Sequence, residues 1–311
     1  TARDVGGERR FLTAFRDALA QRAGPGPRLL LAGLVEGGGP NGYGTTIATT
    51  PEEGRAIVDA YKAAGFEQMK LYNQLSPEVA TVVIARAHAL GMTVTGHIPN
   101  AMTLRSAVEA GLDQFEHLAV RGAPGSPEMT DTIRFLVEKR TVAGLTMAWD
   151  ELLGRAPETP IESFEPGILK APIPLQSSYG SVRNETDAAR AQSALRRSLD
   201  LVGALHRGGV RIVAGTDGAV PGVSLIRTLE LFVQAGLTPA QALATATRVP
   251  AEFLGLDKDA GTVEPGKRAD LLVLDADPLA DISNLRKSRL VVANGRVYAI
   301  KDLARAAGFR Q

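Results

Sequence analysis

Short apolar runs alternate with longer amphipathic stretches along most of the chain. The first clear run, RLLLAGLV (Arg28 to Val35), is apolar over the length of a strand, which is typical of a strand buried in a parallel sheet. Similar strand-then-helix units follow it. Their predicted strands are EQMKLY, MTVTGHI, LDQFEHLAV, RTVAGLTM and VRIVAGTDG. Six such units indicate a parallel α/β sheet or barrel.

The stretches between these strands predict helices. Thr50-Pro51, followed by Glu52 and Glu53, is typical of a helix N-terminus. The predicted helices are Glu8 to about Arg22, one beginning after Thr50, Pro77 to Leu90, one from about Met102, Thr130 to Lys139, Asp187 to Arg207 and Val223 to Gln234, followed by TPAQALATAT and PAEFLGL. The segment from Trp149 to Asn184 has no clear period and is too long for an ordinary connection, so we expect a lid or substrate wall there, with disorder as the alternative.

The number of units sets the expected architecture. A closed (β/α)8 barrel has eight strands in about 250 residues, and the opening TARDVGG resembles the end of one more strand. The sequence therefore predicts an α/β fold: a (β/α)8 TIM-like barrel lacking its first strands, over residues 1–258. Because the chain starts at Thr1 rather than Met, we also expect that an upstream segment, a leader or a larger piece, has been lost.

The pattern changes near the C-terminus. In GTVEPGKRADLLVLDADP a turn leads into alternating apolar positions, and LVVANGRVYAI contains Asn294-Gly295, a strong hairpin signal. Residues 259–311 are predicted to form the C-terminal part of a small composite β-domain, a β-sandwich portion.

Composition narrows the class of partner. The 311 residues are 44% hydrophobic, and 35 basic against 34 acidic side chains give a net charge of +1. This balance argues against a nucleic acid or an anionic membrane as partner, and no apolar run is long enough to span a bilayer. The chain has no cysteine, which excludes disulfides and thiolate ligands but fits either a cytoplasmic or an exported protein. A small-molecule substrate is the partner that we expect.

Four polar side chains follow or end predicted strands. They are Lys70 in EQMKLY, His97 in MTVTGHI, His117 in LDQFEHLAV and Asp217 in VRIVAGTDG. Carboxyl ends of parallel barrel strands build active sites, and nitrogen and oxygen donors suit a zinc-class metal. Taken singly, each has an ordinary alternative: a lysine that reaches solvent, a packed histidine, an aspartate in a turn. The two other histidines, His88 and His206, lie in predicted helices and are interpreted as surface or capping residues.

These residues carry a resemblance to a known family. RDVGG, Lys70, GH at Gly96-His97, EH at Glu116-His117 and GTDG occur in the family's order, followed by GLTPAQALATATRVPAEFLGLDKDAGTVEPGKRADLLVLDADPLADI and VVANGRVY. The chain resembles the metal-dependent amidohydrolase superfamily, in particular its prolidase-like and imidazolonepropionase-related bacterial branch. The resemblance covers nearly the whole chain.

The resemblance implies a site and a cofactor. In the family, the lysine that matches Lys70 is commonly carboxylated by CO2 and bridges two metals, and the residues that match His97 and His117 hold one of them. The residue that matches Asp217 touches the other metal and handles the proton. We therefore expect one or two divalent ions, zinc in the first place, with a carbamate on Lys70. Tyr72, two residues beyond Lys70, would face the same side if the strand continues and could bind the substrate carbonyl, or else pack at the rim.

One departure from the family bears on activity. The family's His-x-His pair of the first strand occurs nowhere in this chain. We therefore expect the chain to bind at most one metal well, to hydrolyse amides poorly or not at all, and to be poorly soluble or to form homo-oligomers at open sheet edges. The leading hypothesis is a hydrolase of C–N amide bonds. A lactonase or phosphotriester hydrolase on the same scaffold is the first alternative, and a binding protein or inactive barrel fragment is the second.

The glycine-rich loop EGGGPNGYG formally contains GxGxxG at Gly37, Gly39 and Gly42. A dinucleotide site would need a helix that opens from this loop and an acidic residue at the end of the next strand. Neither is present in the sequence pattern, so a mobile loop at the top of the barrel is predicted instead.

Overall fold

The structure is a computed structural model that describes residues 1–21, 23–180 and 187–310. Its strands are β1 (Ala2–Asp4), β2 (Leu29–Val35), β3 (Gln68–Leu71), β4 (Thr93–Gly96), β5 (Gln114–Glu116), β6 (Val142–Leu145), β7 (Arg211–Ala214), β8 (Leu271–Leu274), β9 (Ser288–Ala293) and β10 (Arg296–Ala299). Its α-helices are α1 (Arg9–Ala20), α2 (Pro51–Ala63), α3 (Pro77–Ala89), α4 (Leu104–Glu109), α5 (Pro127–Glu138), α6 (Met147–Gly154), α7 (Ile173–Gly180), α8 (Ala188–Arg207), α9 (Ser224–Gln234), α10 (Pro239–Thr245), α11 (Arg248–Phe253) and α12 (Ile300–Ala306).

The chain divides into two compact units. Unit 1 contains Thr1–Arg121 and Asp131–Ala143, and unit 2 contains Gly122–Thr130 and Gly144–Gln311. In unit 1 the strands β1 to β5 pair in parallel and in sequence order. The start of β6 joins them, because the Val142 N–H donates to the Asp113 carbonyl over 2.9 Å. Sequence order with helical crossovers is the arrangement of repeated βα units.

In unit 2 the same strand order continues. The Gly215 N–H, just after β7, donates to the carbonyl of Leu145 at the end of β6 over 2.9 Å. The predicted α/β class with parallel strands is therefore confirmed, and TARDVGG does contain a strand, β1. Further along unit 2, β8, β9 and β10 form a three-stranded antiparallel sheet with the predicted hairpin at Asn294-Gly295. A closed barrel and a β-sandwich stay predictions, as does the division at residue 258.

The strands of unit 1 are buried for the reason the sequence suggests. In β2 the residues from Leu30 to Val35 are all buried, and so are the four residues of β3. Helices α2 and α3 cover them with one apolar face each, and α2 begins at a capping box. There the Glu53 N–H donates to Thr50 Oγ1 over 3.2 Å, and the Thr50 N–H donates to Glu53 Oε2 over 3.1 Å.

Two predicted elements differ from the structure. The strand RTVAGLTM ends at Leu145, and helix α6 begins at Met147, because a short apolar run does not by itself distinguish a buried strand from a buried helix. The segment expected to be irregular from Trp149 contains α6, α7 and two short 3-10 helices. These pack around a cluster of buried side chains, which are Leu152, Ile161, Ile168, Ala171 and Val220. Residues 181–184 of that segment lie outside the described residues.

A group of ion pairs joins four parts of unit 2. Arg286, in the 3-10 helix between β8 and β9, donates from Nε to Glu230 of α9 over 2.8 Å and from Nη1 to Glu165 over 2.9 Å. Arg227, one turn before Glu230, donates to both carboxylate oxygens of Glu151 of α6 over 2.7 and 2.8 Å. We call these five residues the Arg286 cluster.

No helix within the described ranges combines the length and the apolar composition that a bilayer crossing requires.

Candidate active site

Lys70 lies in the middle of the unit 1 sheet. It belongs to β3, where it pairs with Leu34 of β2 and with Thr95 of β4, and its side chain is 4% exposed. A lysine that extends to solvent would keep its ammonium exposed. The burial of Lys70 therefore removes the surface alternative that the sequence left open.

Gly96 places His97 beside the end of β3. Gly96 has φ 144°, a value that favours glycine, and a Cβ on it would lie 2.3 Å from the Leu71 carbonyl oxygen. The next residue, His97, donates its backbone N–H to that same oxygen over 3.1 Å. Glycine at position 96 thus lets the backbone of β4 approach β3 closely, and the bond from His97 holds the histidine at the end of β3.

His117 faces His97 because of an unusual backbone conformation. In an extended strand, consecutive side chains point to opposite faces of the sheet. The side chain of Glu116 lies on the face where it bonds to Arg3 and Thr95. His117 adopts φ 62°, the left-handed region, which is uncommon outside glycine. Its Nε2 atom lies 3.1 Å from His97 Nε2. Backbone strain of this kind concentrates at functional sites.

Glu116 belongs to a buried group that we call the inner polar cluster, made of Arg3, Gln68, Thr95, Gln114 and Glu116. Arg3 donates to Glu116 Oε1 over 3.0 Å, to Gln114 Oε1 over 2.8 Å and to Gln68 Oε1 over 3.2 Å. Thr95 and the Gln114 amide also donate to Glu116. The cluster joins β1, β3, β4 and β5, and its members Thr95 and Glu116 lie two residues and one residue before His97 and His117.

The contacts of His97 leave its Nε2 atom with a free lone pair in the neutral ring. Its Nδ1 lies 2.9 Å from Asn73 Oδ1, an acceptor, so Nδ1 carries the proton and Nε2 is left unprotonated in the neutral ring. Burial, followed by the charges of Lys70 and His117, lowers the pKa of His97 to about 3. His97 is therefore neutral at pH 7. An imidazole held by an oxygen acceptor behind it is the usual arrangement of a metal-binding histidine.

Three aromatic rings form a row that ends at the histidine pair. The rings of Tyr72 and His97 have centroids 4.2 Å apart, and the rings of Tyr43 and Tyr72 stack with centroids 5.3 Å apart. Lys70 Nζ lies 5.4 Å from the centroid of the Tyr72 ring. Tyr72 therefore lies beside Lys70 and His97, as expected if it faces the same side. We call Tyr43, Tyr72 and His97 the aromatic row.

Glu36 fixes the loop that carries Tyr43. This carboxylate is fully buried at the end of β2 and accepts three backbone N–H groups, those of Gly37 at 2.8 Å, Tyr43 at 3.1 Å and Gln74 at 2.6 Å. It thereby joins the glycine-rich loop to the loop after β3. No helix opens from the glycine-rich loop, since α2 begins only at Pro51.

Asp217 lies in unit 2, in the turn after β7. It has φ 47°, and the Ala219 N–H donates to the Thr216 carbonyl over 3.0 Å. Of the helical histidines, His88 is an exposed partner of Asp113, with Nε2 2.8 Å from Oδ2.

The two histidine nitrogens of unit 1 could supply some, but not all, of the ligands that a metal ion needs. Two nitrogens 3.1 Å apart suit two ligands of one ion at Zn–N lengths of about 2.0–2.1 Å. Across the described residues, no group of three or more His, Cys, Asp or Glu side chains is arranged to hold a metal. A third ligand from unit 1 would therefore be Lys70, the one further predicted ligand there.

Sequence reasoning missed the residues that support the site. Glu36, Asn73, Tyr43 and the inner polar cluster were not predicted. A buried-strand pattern followed at once by a carboxylate, as Glu36 follows β2, was the one available signal. Arg3 and Glu116 stand 113 positions apart, so no local pattern could pair them.

Parallel βα units, a buried lysine on β3 and histidines that follow the next two strands, β4 and β5, define an α/β protein whose candidate site lies at strand ends. Residues 67–298 match the model of the amidohydrolase family. The chain belongs to the amidohydrolase family. Amidohydrolases generally use divalent metals.

Individual relatives agree with this assignment. An uncharacterised protein of Mycobacterium tuberculosis is 28% identical over 228 residues, 72% of this chain and 52% of that protein. The imidazolonepropionase of Geobacillus kaustophilus is 33% identical over 104 residues, 29% of this chain and 24% of that enzyme. A crystal structure of a putative prolidase from Bifidobacterium longum superposes with a TM-score of 0.71 at 27% identity, covering 95% of this chain and 72% of that one. The chain spans about half the length of the mycobacterial relative.

Proposed function

We propose that this chain belongs to a metal-dependent hydrolase that cleaves C–N amide bonds of small molecules, with Lys70, His97 and His117 as metal ligands. The observation that carries the proposal is the pair of facing histidine nitrogens, 3.1 Å apart, of which His97 is oriented by Asn73 and kept neutral by burial. Family membership supplies the reaction class.

A divalent ion bound there would polarise the substrate carbonyl and lower the pKa of water from 15.7 toward about 7. The protein residues then divide the remaining tasks. Tyr72, beside Lys70 and His97, would donate a hydrogen bond to the carbonyl oxygen as negative charge develops on it. For Asp217 we retain the role implied by the family: it accepts the proton of the attacking water and returns it to the leaving amine.

For Lys70 we propose carboxylation. The neutral amine nitrogen bonds to the carbon of CO2 and releases one proton, which leaves a carbamate with one negative charge. The product presents oxygen atoms where the lysine itself would present an ammonium, which binds no cation. We expect this chain to bind one ion, preferably zinc. A second ion would bind where a His-x-His pair such as that of the family's first strand supplies further ligands.

Metal analysis of wild type and of three variants, Lys70→Ala, Lys70→Glu and His97→Ala, tests the ligand assignment beside one control variant. After zinc repletion with bicarbonate, wild type should hold about one ion per chain. Lys70→Ala and His97→Ala should lose at least 90% of it, and Lys70→Glu should retain part, since a carboxylate imitates the carbamate. His88→Ala is the matched control, because this histidine is exposed and bonded to Asp113.

Wild-type metal content in Lys70→Ala would refute the role of Lys70. Carbon-13 NMR after incubation with labelled bicarbonate should show a carbamate carbon in wild type and none in Lys70→Ala. Hydrolysis is then measured on N-acyl amino acids, lactones and a phosphotriester. Turnover of the lactone or phosphotriester without amide turnover would replace the amide hydrolase with the alternative activity, and no turnover by a metal-loaded chain would favour a binding protein.

A further inference from the structure

Tyr43 combines exposure with a fixed position. Its side chain is 60% exposed, yet its backbone N–H is held by the buried carboxylate of Glu36 over 3.1 Å. The next residue, Gly44, has φ 86°, and a Cβ there would lie 2.9 Å from Leu34 Cδ2, so the chain leaves Tyr43 in a direction that favours glycine. The loop therefore presents an aromatic ring to solvent from a defined anchor.

The ring is also connected to the proposed reaction centre. Tyr43 stacks on Tyr72 with an angle of 29° between the planes, and Tyr72 lies against His97 with an angle of 31°. The aromatic row is thus a continuous set of rings, each inclined by 29° or 31° to the next, that leads from the histidine pair to the exposed ring of Tyr43. Aromatic faces select planar, π-rich groups over saturated groups of equal size.

Exposed aromatic rings elsewhere in unit 1 lack this connection. Phe11 and Phe15 of α1 are also exposed and stack on each other, with centroids 5.7 Å apart. That pair is two side chains of one helix, four residues apart, which is ordinary helix-surface packing. Tyr43 differs because its anchor, Glu36, and its stacking partner, Tyr72, belong to the loops that follow adjacent strands of the site.

We propose that the aromatic row is a subsite for a planar aromatic substituent of the substrate, and that Tyr43 is its specificity-determining residue. The inference rests on the proposed function, since it names the class of amide that the site takes: one in which an aromatic ring lies next to the scissile bond. The Tyr43 hydroxyl is not required, because recognition is by the ring.

Equilibrium binding tests the subsite without turnover. Benzoate and cyclohexanecarboxylate have the same charge and similar size but differ in planarity and π electrons. By isothermal titration calorimetry, wild type should bind benzoate roughly three- to tenfold more tightly than cyclohexanecarboxylate, the range given by one aromatic pair. Tyr43→Ala should abolish this preference. Tyr43→Phe should keep it, and so should Phe11→Ala, the matched loss of an exposed ring.

Three results would each overturn the subsite. They are equal affinity of wild type for the two acids, a preference for benzoate that survives in Tyr43→Ala, and no measurable binding of either acid at millimolar concentration. Kinetics on N-benzoylalanine and N-cyclohexanecarbonylalanine separate this inference from the proposed function. If both amides are hydrolysed at ratios that Tyr43→Ala leaves unchanged, the subsite is wrong and the hydrolase stands. If the metal-loaded chain hydrolyses a lactone or a phosphotriester but neither amide, while the preference for benzoate still depends on Tyr43, the subsite stands and the amide hydrolase is wrong.

Discussion

Replacing Gly96 by alanine tests how the site is assembled. The added methyl group would lie 2.3 Å from the oxygen and 2.6 Å from the nitrogen of Leu71, both of them backbone atoms in the neighbouring strand. Neither can rotate away, so β3 and β4 must separate. Separation would strain or break the His97 N–H bond to the Leu71 carbonyl, now 3.1 Å long, and would move His97 away from Lys70 and Tyr72.

The magnitude follows from three contributions. A non-glycine residue at φ 144° costs about 1–2 kcal/mol, forcing a methyl group into a packed strand costs about 1–3 kcal/mol, and loss of the backbone hydrogen bond costs about 0.5–1.5 kcal/mol. We expect Gly96→Ala to lower the free energy of unfolding by about 3–5 kcal/mol. Zinc retention should fall with it.

Gly91→Ala is the control for this experiment. Gly91 also has a positive φ, 69°, but a Cβ there meets nothing within 4 Å. Only the cost of the backbone conformation applies there, so Gly91→Ala should lower the free energy of unfolding by about 1–2 kcal/mol. Urea unfolding followed by circular dichroism measures both variants. Equal losses in the two variants would refute the idea that close approach of two strands, rather than backbone conformation alone, requires glycine at position 96.

Three further predictions concern supporting residues. Glu36→Ala removes the acceptor of three N–H groups, so unfolding should become easier by about 2–4 kcal/mol, and the amides of Tyr43 and Gln74 should exchange with solvent much faster in NMR, unlike in the exposed-site control Glu52→Ala. Arg3→Met leaves Glu116 buried without its cation and should cost about 3–5 kcal/mol in urea unfolding, with Arg3→Met/Glu116→Gln losing less; equal losses would contradict a charge effect. Tyr61 is a buried residue of α2 whose hydroxyl donates to the Leu34 carbonyl of β2 over 3.2 Å. Burial raises its pKa above the ordinary value of 10.0, so the folded state holds this proton more tightly, and stability should be full below about pH 10 and fall as pH rises through the raised pKa. Tyr61→Phe should show a shallower decline in urea midpoint across that range, and an identical decline would assign the effect to other groups.

Much of the fold follows from local sequence patterns. Apolar runs place β2 and β3 and the cap at Thr50 places α2, because each pattern is set by contacts within a few residues. The segment after Leu145 was harder to predict, since its helices are short and are stabilised by packing around Ile161 and Ile168 rather than by periodicity.

The site was predictable only as a set of residues at strand ends. Lys70, His97 and His117 could be selected because parallel strands end on one side, and unit 1 does bring the two histidines together. The left-handed conformation of His117 and the hydrogen bond from His97 to Asn73 have no local signature. Both depend on partners that only the folded chain supplies, as does the anchoring of Tyr43 by Glu36.

The Arg286 cluster has a consequence for how unit 2 opens. Its members come from α6, from Glu165 between two 3-10 helices, from α9 and from the connection between β8 and β9. If the β8–β9 connection detached alone, Glu165, 2% exposed, would lose its guanidinium partner while still buried, at a cost of about 3–5 kcal/mol. Sub-global fluctuations of the antiparallel sheet are therefore coupled to those of α9, and the two should behave as a single foldon in native-state hydrogen exchange.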